Sequence, residues 1–291
     1  MRQLRMSGSM SGMWRRGTVW IMRHRQTKGP DTDRPDLNNR VTSRLYWQVS
    51  VADIATVRGL LTAEQEHPWV KDRFERNLHY PKAEITQSYF WKVLVCMRAT
   101  TMAASGEGSA IAKFEILNRF PLSLERVQGE PAEAREQLIH LVLGEHGVGT
   151  HRKKIASDLA WNLAKLEEDR WPALLEKSNS LLFPSEPGAE REVADFLASS
   201  LRGIGPKQAR NILQDLGLTR FEIPIDSRVI KWLNACEVFP FTVTAVALSD
   251  RNYYHFILDA IQELCRECGT YPCVLDASIF SSLEKTEQQD G

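Results

Sequence analysis

Residues 191–234 read REVADFLASSLRGIGPKQARNILQDLGLTRFEIPIDSRVIKWLN, and this stretch decides the fold. Val193, Phe196, Leu197 and Leu201 fall at i, i+3, i+4 and i+8, one apolar helix face. Ala209, Ile212, Leu213 and Leu216 repeat that face in a second helix. Between them stands Gly203-Ile204-Gly205-Pro206. The glycines permit a tight, partly left-handed turn, and Pro206 suits the first helical position, where its missing N–H costs nothing. Ile204 is placed to tuck between the helices. The pattern predicts a helix-hairpin-helix over 191–217. Gly203, Ile204 and Gly205 would then present backbone N–H groups at a helix N-terminus, a seat for a phosphate oxygen. Contact of that kind positions a nucleic acid without reading its bases. An ordinary αα-hairpin with a Gly-rich turn fits the same letters, so the flanking residues decide.

Lys207 sits one residue inside the second helix. The helix N-terminal field disfavours an ammonium there, and a neutral amine is what nucleophilic attack requires. Burial is expected to act in the same direction. Nineteen residues on, Asp226 directly precedes SRVIKWL. It is an expected N-cap, whose carboxylate would accept backbone N–H groups and offer a fixed negative charge. Arg202, Gln208, Arg210 and Arg228 are candidates for backbone contact, with a solvated face as the competing account.

The run L-x-G-I-G-x-K-x-A, a short helix ending in Leu-Gly, and then I-D-S-R-V resembles the helix-hairpin-helix, Gly/Pro-rich loop, Asp superfamily of DNA glycosylases. Endonuclease III and the 8-oxoguanine glycosylases belong there, and the match is closer to archaeal-type 8-oxoguanine glycosylases. The resemblance is strong over 195–235 and weaker back to Phe90. It implies an all-α, two-lobed fold with the hairpin at the cleft. It implies Lys207 as nucleophile and Asp226 as electrostatic partner in a bifunctional glycosylase and lyase of base excision repair, acting on 8-oxoguanine ahead of oxidised pyrimidines. Double-stranded DNA with a damaged base would be its partner, and the chain a monomer. A monofunctional glycosylase, with Asp226 activating water, and a non-catalytic DNA-binding hairpin protein remain as alternatives. Where many relatives have Gln or Asn after the Phe90–Thr101 helix, this chain has Thr100-Thr101-Met102-Ala103-Ala104. Met102 is either an apolar wedge at a base step or core filler.

The same resemblance bears on the cysteines. Endonuclease III-like members hold a [4Fe–4S] cluster with C-x6-C-x2-C-x5-C. Here Cys265, Cys268 and Cys273 stand without a fourth partner, and Leu258 occupies the first ligand's place. Three thiolates do not complete a four-cysteine site, so no cofactor is expected. A zinc site recruiting His255 or Cys236 competes with buried core cysteines, and the core reading is favoured.

Outside the central stretch the pattern stays helical. Ser50 and Asp53 suggest a capping box ahead of Val51, Ile54, Val57, Leu60 and Leu61. Further helices are expected over 84–102, 107–118, 131–144, 151–170 and 251–266, with a short one after Val274. His151-Arg152-Lys153-Lys154 opens one of them and is a second candidate for DNA contact. FEIPI at 221–225 is the only β-like run, and no internal repeat is evident. Phe221, Trp232, Phe239 and Tyr254 are candidates to stack on a flipped base, with core as the commoner fate of an aromatic. Residues 1–44 carry ten Lys/Arg and three Asp without a period. They are read as a disordered basic arm, and 45–291 as the helical domain with its Asp loop at 221–228. A net charge of zero gives no support to nucleic-acid binding and does not exclude it, since local patches do that work. No apolar run approaches membrane-helix length. Five cysteines, an odd number, in a chain of 291 residues argue against a disulfide scaffold and for an intracellular setting, cytoplasmic or nuclear.

Overall fold

The structure, a computed structural model, describes residues 10–16, 19–24, 44–100 and 108–289. In chain order its elements are β1 (Met10–Arg16), β2 (Val19–His24), β3 (Arg44–Trp47), α1 (Val51–Glu64), α2 (Pro68–Leu78), α3 (Gln87–Ala99), α4 (Ala110–Glu115), α5 (Leu124–Gln128), α6 (Ala132–Glu145) and α7 (Arg152–Lys165). A π-helical turn, Leu166–Arg170, follows, and then α8 (Trp171–Asn179), α9 (Pro187–Ser200), α10 (Pro206–Asp215), α11 (Ser227–Ala235), α12 (Arg251–Cys268) and α13 (Pro272–Gln289). Among the described residues the all-helical expectation holds from residue 51 onward.

Local chemistry sets the helix ends. Ser50 Oγ accepts from the Asp53 N–H (3.1 Å) and Asp53 accepts from the Ser50 N–H (2.8 Å), the capping box read from sequence. Thr86, Ser109, Ser123 and Asp250 cap α3, α4, α5 and α12. The Leu-Gly ending of α10 is a left-handed stop: Gly217 has φ +74°, and the Leu218 N–H reaches the Leu213 carbonyl at 2.8 Å.

The N-terminal stretch departs from expectation. β1 pairs with β2 and β2 with β3, all antiparallel, so part of the expected disordered arm is sheet. The strands MSGMWRR and VWIMRH flank Gly17-Thr18, and Trp14, Val19, Trp20, Ile21 and Met22 are strand-forming types that the basic residues obscured. The rest of 1–43 lies outside the described residues. FEIPI, by contrast, forms no strand. Its N–H groups go elsewhere: those of Phe221 and Glu222 to the Glu190 carboxylate (2.8 and 3.1 Å), that of Ile225 to the Tyr254 hydroxyl (2.8 Å).

The chain divides into two compact units, one made of Met1–Phe74 with Ile225–Gly291, the other of Glu75–Pro224. The first contains the sheet, α1 and α11 to α13. Val57, Val229, Leu233, Phe239, Phe256, Ile257 and Leu264 are buried in it, and Trp47 donates its indole N–H to the Val238 carbonyl (2.6 Å). The second contains α3 to α10 around one apolar core, in which Phe90, Leu94, Ile139, Leu159, Leu197, Ile212 and Leu213 are buried. Each such side chain contributes roughly 1.5–3 kcal/mol by leaving water.

This second unit contains two helical hairpins of one design, although no repeat was expected from sequence. In α6–Gly147-Val148-Gly149–α7 the glycines have φ +65° and +81°, and Val148 is buried. In α9–Gly203-Ile204-Gly205–α10 Gly203 has φ +78° and Ile204 is buried. The predicted helix-hairpin-helix is the second of these.

Candidate nucleic-acid interface and nucleophile

Gly205 is the N-cap of α10, with φ −98° and ψ −176°, and brings no side chain to cap the first-turn N–H groups. Pro206 is the first helical residue and Lys207 the second. Lys207 is exposed. The burial expected from sequence is absent. Gln208 is half-buried and accepts from the Asn211 amide at 2.9 Å. Ile204 is buried and its N–H points to the Leu201 carbonyl (3.3 Å), so it anchors the turn rather than offering an N–H to a ligand.

Gly203 is required by space as well as by conformation. A Cβ there would lie 2.5 Å from both Arg98 Nε and Asp158 Oδ2. These two side chains form a buried ion pair, with Arg98 donating to Asp158 Oδ2 at 3.1 and 2.6 Å. The other oxygen, Oδ1, lies 3.0 Å from Arg202 Nε. Asn162, one turn further along α7, accepts the Arg202 N–H (2.7 Å) and donates to its carbonyl (3.0 Å). Sequence reasoning missed Arg98, Asp158 and Asn162. The available signal was a pair of opposite charges on mainly apolar helices, near Leu94 in one and Ile155 and Leu159 in the other.

Arg210 is a correction. It is fully buried and donates to Glu222 (2.8 Å from Nε) and to the Pro206 carbonyl (3.1 Å), with Asp195 at 3.4 Å. It is a structural cation that steadies the first turn of α10, out of reach of any phosphate. Met102 lies outside the described residues. His151, Arg152, Lys153 and Lys154 are all exposed at the start of α7.

Asp226 belongs to the other unit. As expected it is the N-cap of α11, and its Oδ1 accepts the N–H groups of Arg228 (2.8 Å) and Val229 (3.0 Å). The Arg228 guanidinium is 3.7 Å from Oδ2 and lies over the Phe280 ring at 4.1 Å. Phe280 stacks on Trp69 with centroids 4.2 Å apart, and both are half-buried. Of the aromatic candidates, Trp232, Phe239 and Tyr254 are buried and Phe221 is half-buried under the Arg220 guanidinium (5.0 Å). The Trp69–Phe280 pair was not foreseen, because its members lie at opposite ends of the sequence.

Cys265 and Cys273 are buried, and Cys236 and Cys268 half-buried. Burial pushes the Cys265 thiol well up, with Cys268 and Cys273 adding to the effect. Among the described residues, no group of three or more His, Cys, Asp or Glu side chains is arranged to hold a metal ion, and no helix is long and apolar enough to cross a membrane.

No family model matches the sequence, and no curated protein sequence matches it. Solved structures do. The 8-oxoguanine DNA glycosylase of Thermotoga maritima superposes with a TM-score of 0.56 at 20% identity, over 78% of this chain and 95% of that one. The 8-oxoguanine DNA glycosylase of Methanocaldococcus jannaschii gives 0.50 at 20% identity, over 78% and 91%. The glycosylase/lyase of the same organism, in complex with a 15mer DNA containing 8-oxoguanine, gives 0.51 at 18% identity, over 77% and 95%. The fold of this chain is the fold of those structures.

Proposed function

We propose that this chain is a bifunctional DNA glycosylase and lyase that removes an oxidised base, 8-oxoguanine by preference, from double-stranded DNA. The observation that carries the reading is the α9–α10 hairpin: a helix N-terminus opened by a glycine, uncapped by any side chain, with an exposed lysine in its first turn. The fold shared with 8-oxoguanine glycosylase structures supports it.

In this reading the hairpin seats a phosphate and the damaged nucleotide leaves the stack, at a cost of a few kcal/mol. The neutral Lys207 amine attacks C1′ as the glycosidic bond breaks, and the base leaves with the proton the amine gives up. Asp226, its carboxylate fixed by two backbone N–H groups, stabilises the positive charge that builds on the sugar. The C1′–O4′ bond then breaks, O4′ takes up a proton and the ring-opened adduct is a Schiff base, which permits β-elimination and nicks the strand 3′ to the lesion.

Borohydride reduction during reaction with duplexes carrying single lesions tests this. Covalent trapping on an 8-oxoguanine duplex, lost in Lys207→Gln, is expected. Base release without trapping would make the enzyme monofunctional. Binding without release would leave only a DNA-binding hairpin, and trapping confined to oxidised pyrimidines would shift the substrate.

A further inference from the structure

We propose that Asp158 is a positioning residue for the hairpin: it holds Arg202 by one edge of the guanidinium so that the opposite edge meets a DNA phosphate. The inference rests on the DNA-glycosylase reading above and adds to it the group that preorganises the backbone grip.

The geometry is specific. Asp158 is 2% exposed, whereas the Arg202 side chain is 51% exposed. The carboxylate is divided between two cations, Oδ2 serving Arg98 and Oδ1 facing Arg202 Nε at 3.0 Å. Arg98 is itself buried, so it fixes the carboxylate rather than competing for a ligand. Asn162 grips the Arg202 backbone by both its N–H and its C=O. Arg202 is thus held at three points, N, O and Nε. Its two terminal nitrogens make no hydrogen bond among the described residues. A guanidinium is a planar fork with donors on separate edges, so it can meet a carboxylate with one edge and a phosphate with another. Lysine cannot, because its single ammonium would be drawn to Asp158.

That asymmetry supplies the experiment. Affinity of the full chain for a plain duplex is measured across a salt series, together with excision kinetics on an 8-oxoguanine duplex, for wild type, Arg202→Gln, Arg202→Lys and Asp158→Asn. Arg202→Gln should weaken binding about tenfold and lower the slope of log affinity against log salt by about 0.9, one phosphate's worth. Arg202→Lys should do nearly the same, with the loss falling on KM rather than kcat. Wild-type behaviour of Arg202→Lys would overturn the proposal, since charge alone would then suffice. Asp158→Asn should weaken binding although it removes a negative charge; tighter binding would overturn the proposal by making Asp158 a bystander. If Asp158→Asn fails to fold because Arg98 is left unpaired, Arg202→Lys decides the matter, for it leaves the buried pair intact. A wild-type chain that binds and excises while Arg202→Lys is unaffected removes this inference alone. A wild-type chain that neither binds duplexes nor releases base removes the glycosylase reading with it.

Discussion

The two glycine hairpins of the Glu75–Pro224 unit share a design and differ in how they are closed. The α6–α7 turn closes on its own backbone. Gly147 is left-handed, the Val148 N–H returns to the Leu143 carbonyl (2.8 Å), and the Val142 and Gly144 carbonyls accept the His146 and Gly147 N–H groups (3.2 and 3.1 Å). The α9–α10 turn borrows its closure. The chain leaves α9 extended at Leu201 (φ −112°, ψ 126°), and the peptide groups of Arg202 are satisfied by Asn162 of α7. Its first glycine rests on the Arg98–Asp158 pair, whereas the crowded glycine of the other turn, Gly149, meets aliphatic carbons, Ile155 Cδ1 (2.7 Å) and Arg152 Cγ (3.7 Å). The hairpin that carries Lys207 is therefore held from outside by charged and amide groups. The other returns its amides to its own helix and packs on aliphatic carbons. If Gly205 seats a phosphate as proposed, a turn that keeps this glycine clear gains from being fixed elsewhere.

The largest expected effect breaks this comparison directly. Gly203→Ala forces a Cβ into the buried ion pair at a left-handed position and should cost about 3–5 kcal/mol. Gly149→Ala should cost about 1–2 kcal/mol, because the Ile155 methyl can rotate away and mainly the φ penalty remains. Denaturant melts of the two variants give the difference, and equal losses would erase the distinction. Next, Asn162→Ala should cost about 1–3 kcal/mol. Hydrogen exchange should show the Arg202 amide losing protection while the Val148 amide keeps it. Smaller again, Gly205→Ala meets nothing within 4 Å and has an ordinary φ, so it should cost under about 1 kcal/mol in stability. Its methyl would crowd the proposed phosphate seat, and duplex affinity should fall about tenfold in a binding titration.

The smallest effect tests whether the far end of α10 is independent of the near one. Burial first, and then the Asp215 carboxylate, push the Glu115 carboxyl up. A folded-state pKa above the unfolded one means the ionised form is penalised in the fold. Stability is then lost as pH rises through the folded value and regained as pH falls. Glu115→Gln should therefore raise Tm at pH 7.5 by about one or two degrees, lose that advantage near pH 4.5, and leave duplex affinity unchanged.

Much of this was legible locally. The apolar stripes of α9 and α10, the Ser50–Asp53 box and the Asp226 cap each depend on residues within one or two turns, and periodicity exposes such groups. The hairpin and Lys207 were readable for the same reason. What was hidden depends on distant partners. Nothing near Arg210 marks it as buried, because its neutralising carboxylates, Glu222 and Asp195, lie on other elements. The Arg98–Asp158 pair joins helices 60 residues apart. The expected 151–170 helix is interrupted by a π-helical turn that no composition signal announces. The N-terminal strands were missed because ten basic residues in a low-period stretch look like a tail, and strand pairing gives single strands no strong local signature.

Glu190 receives the Thr219 hydroxyl and three successive amides, those of Arg220, Phe221 and Glu222, at 2.5–3.1 Å. A run of converging amides is the kind of cup that elsewhere collects anions. Here the chain supplies its own carboxylate and the cup is filled from within. With that cup filled from within, the helix start opened by Gly205 faces one less competitor for the phosphate that the proposed function would bring.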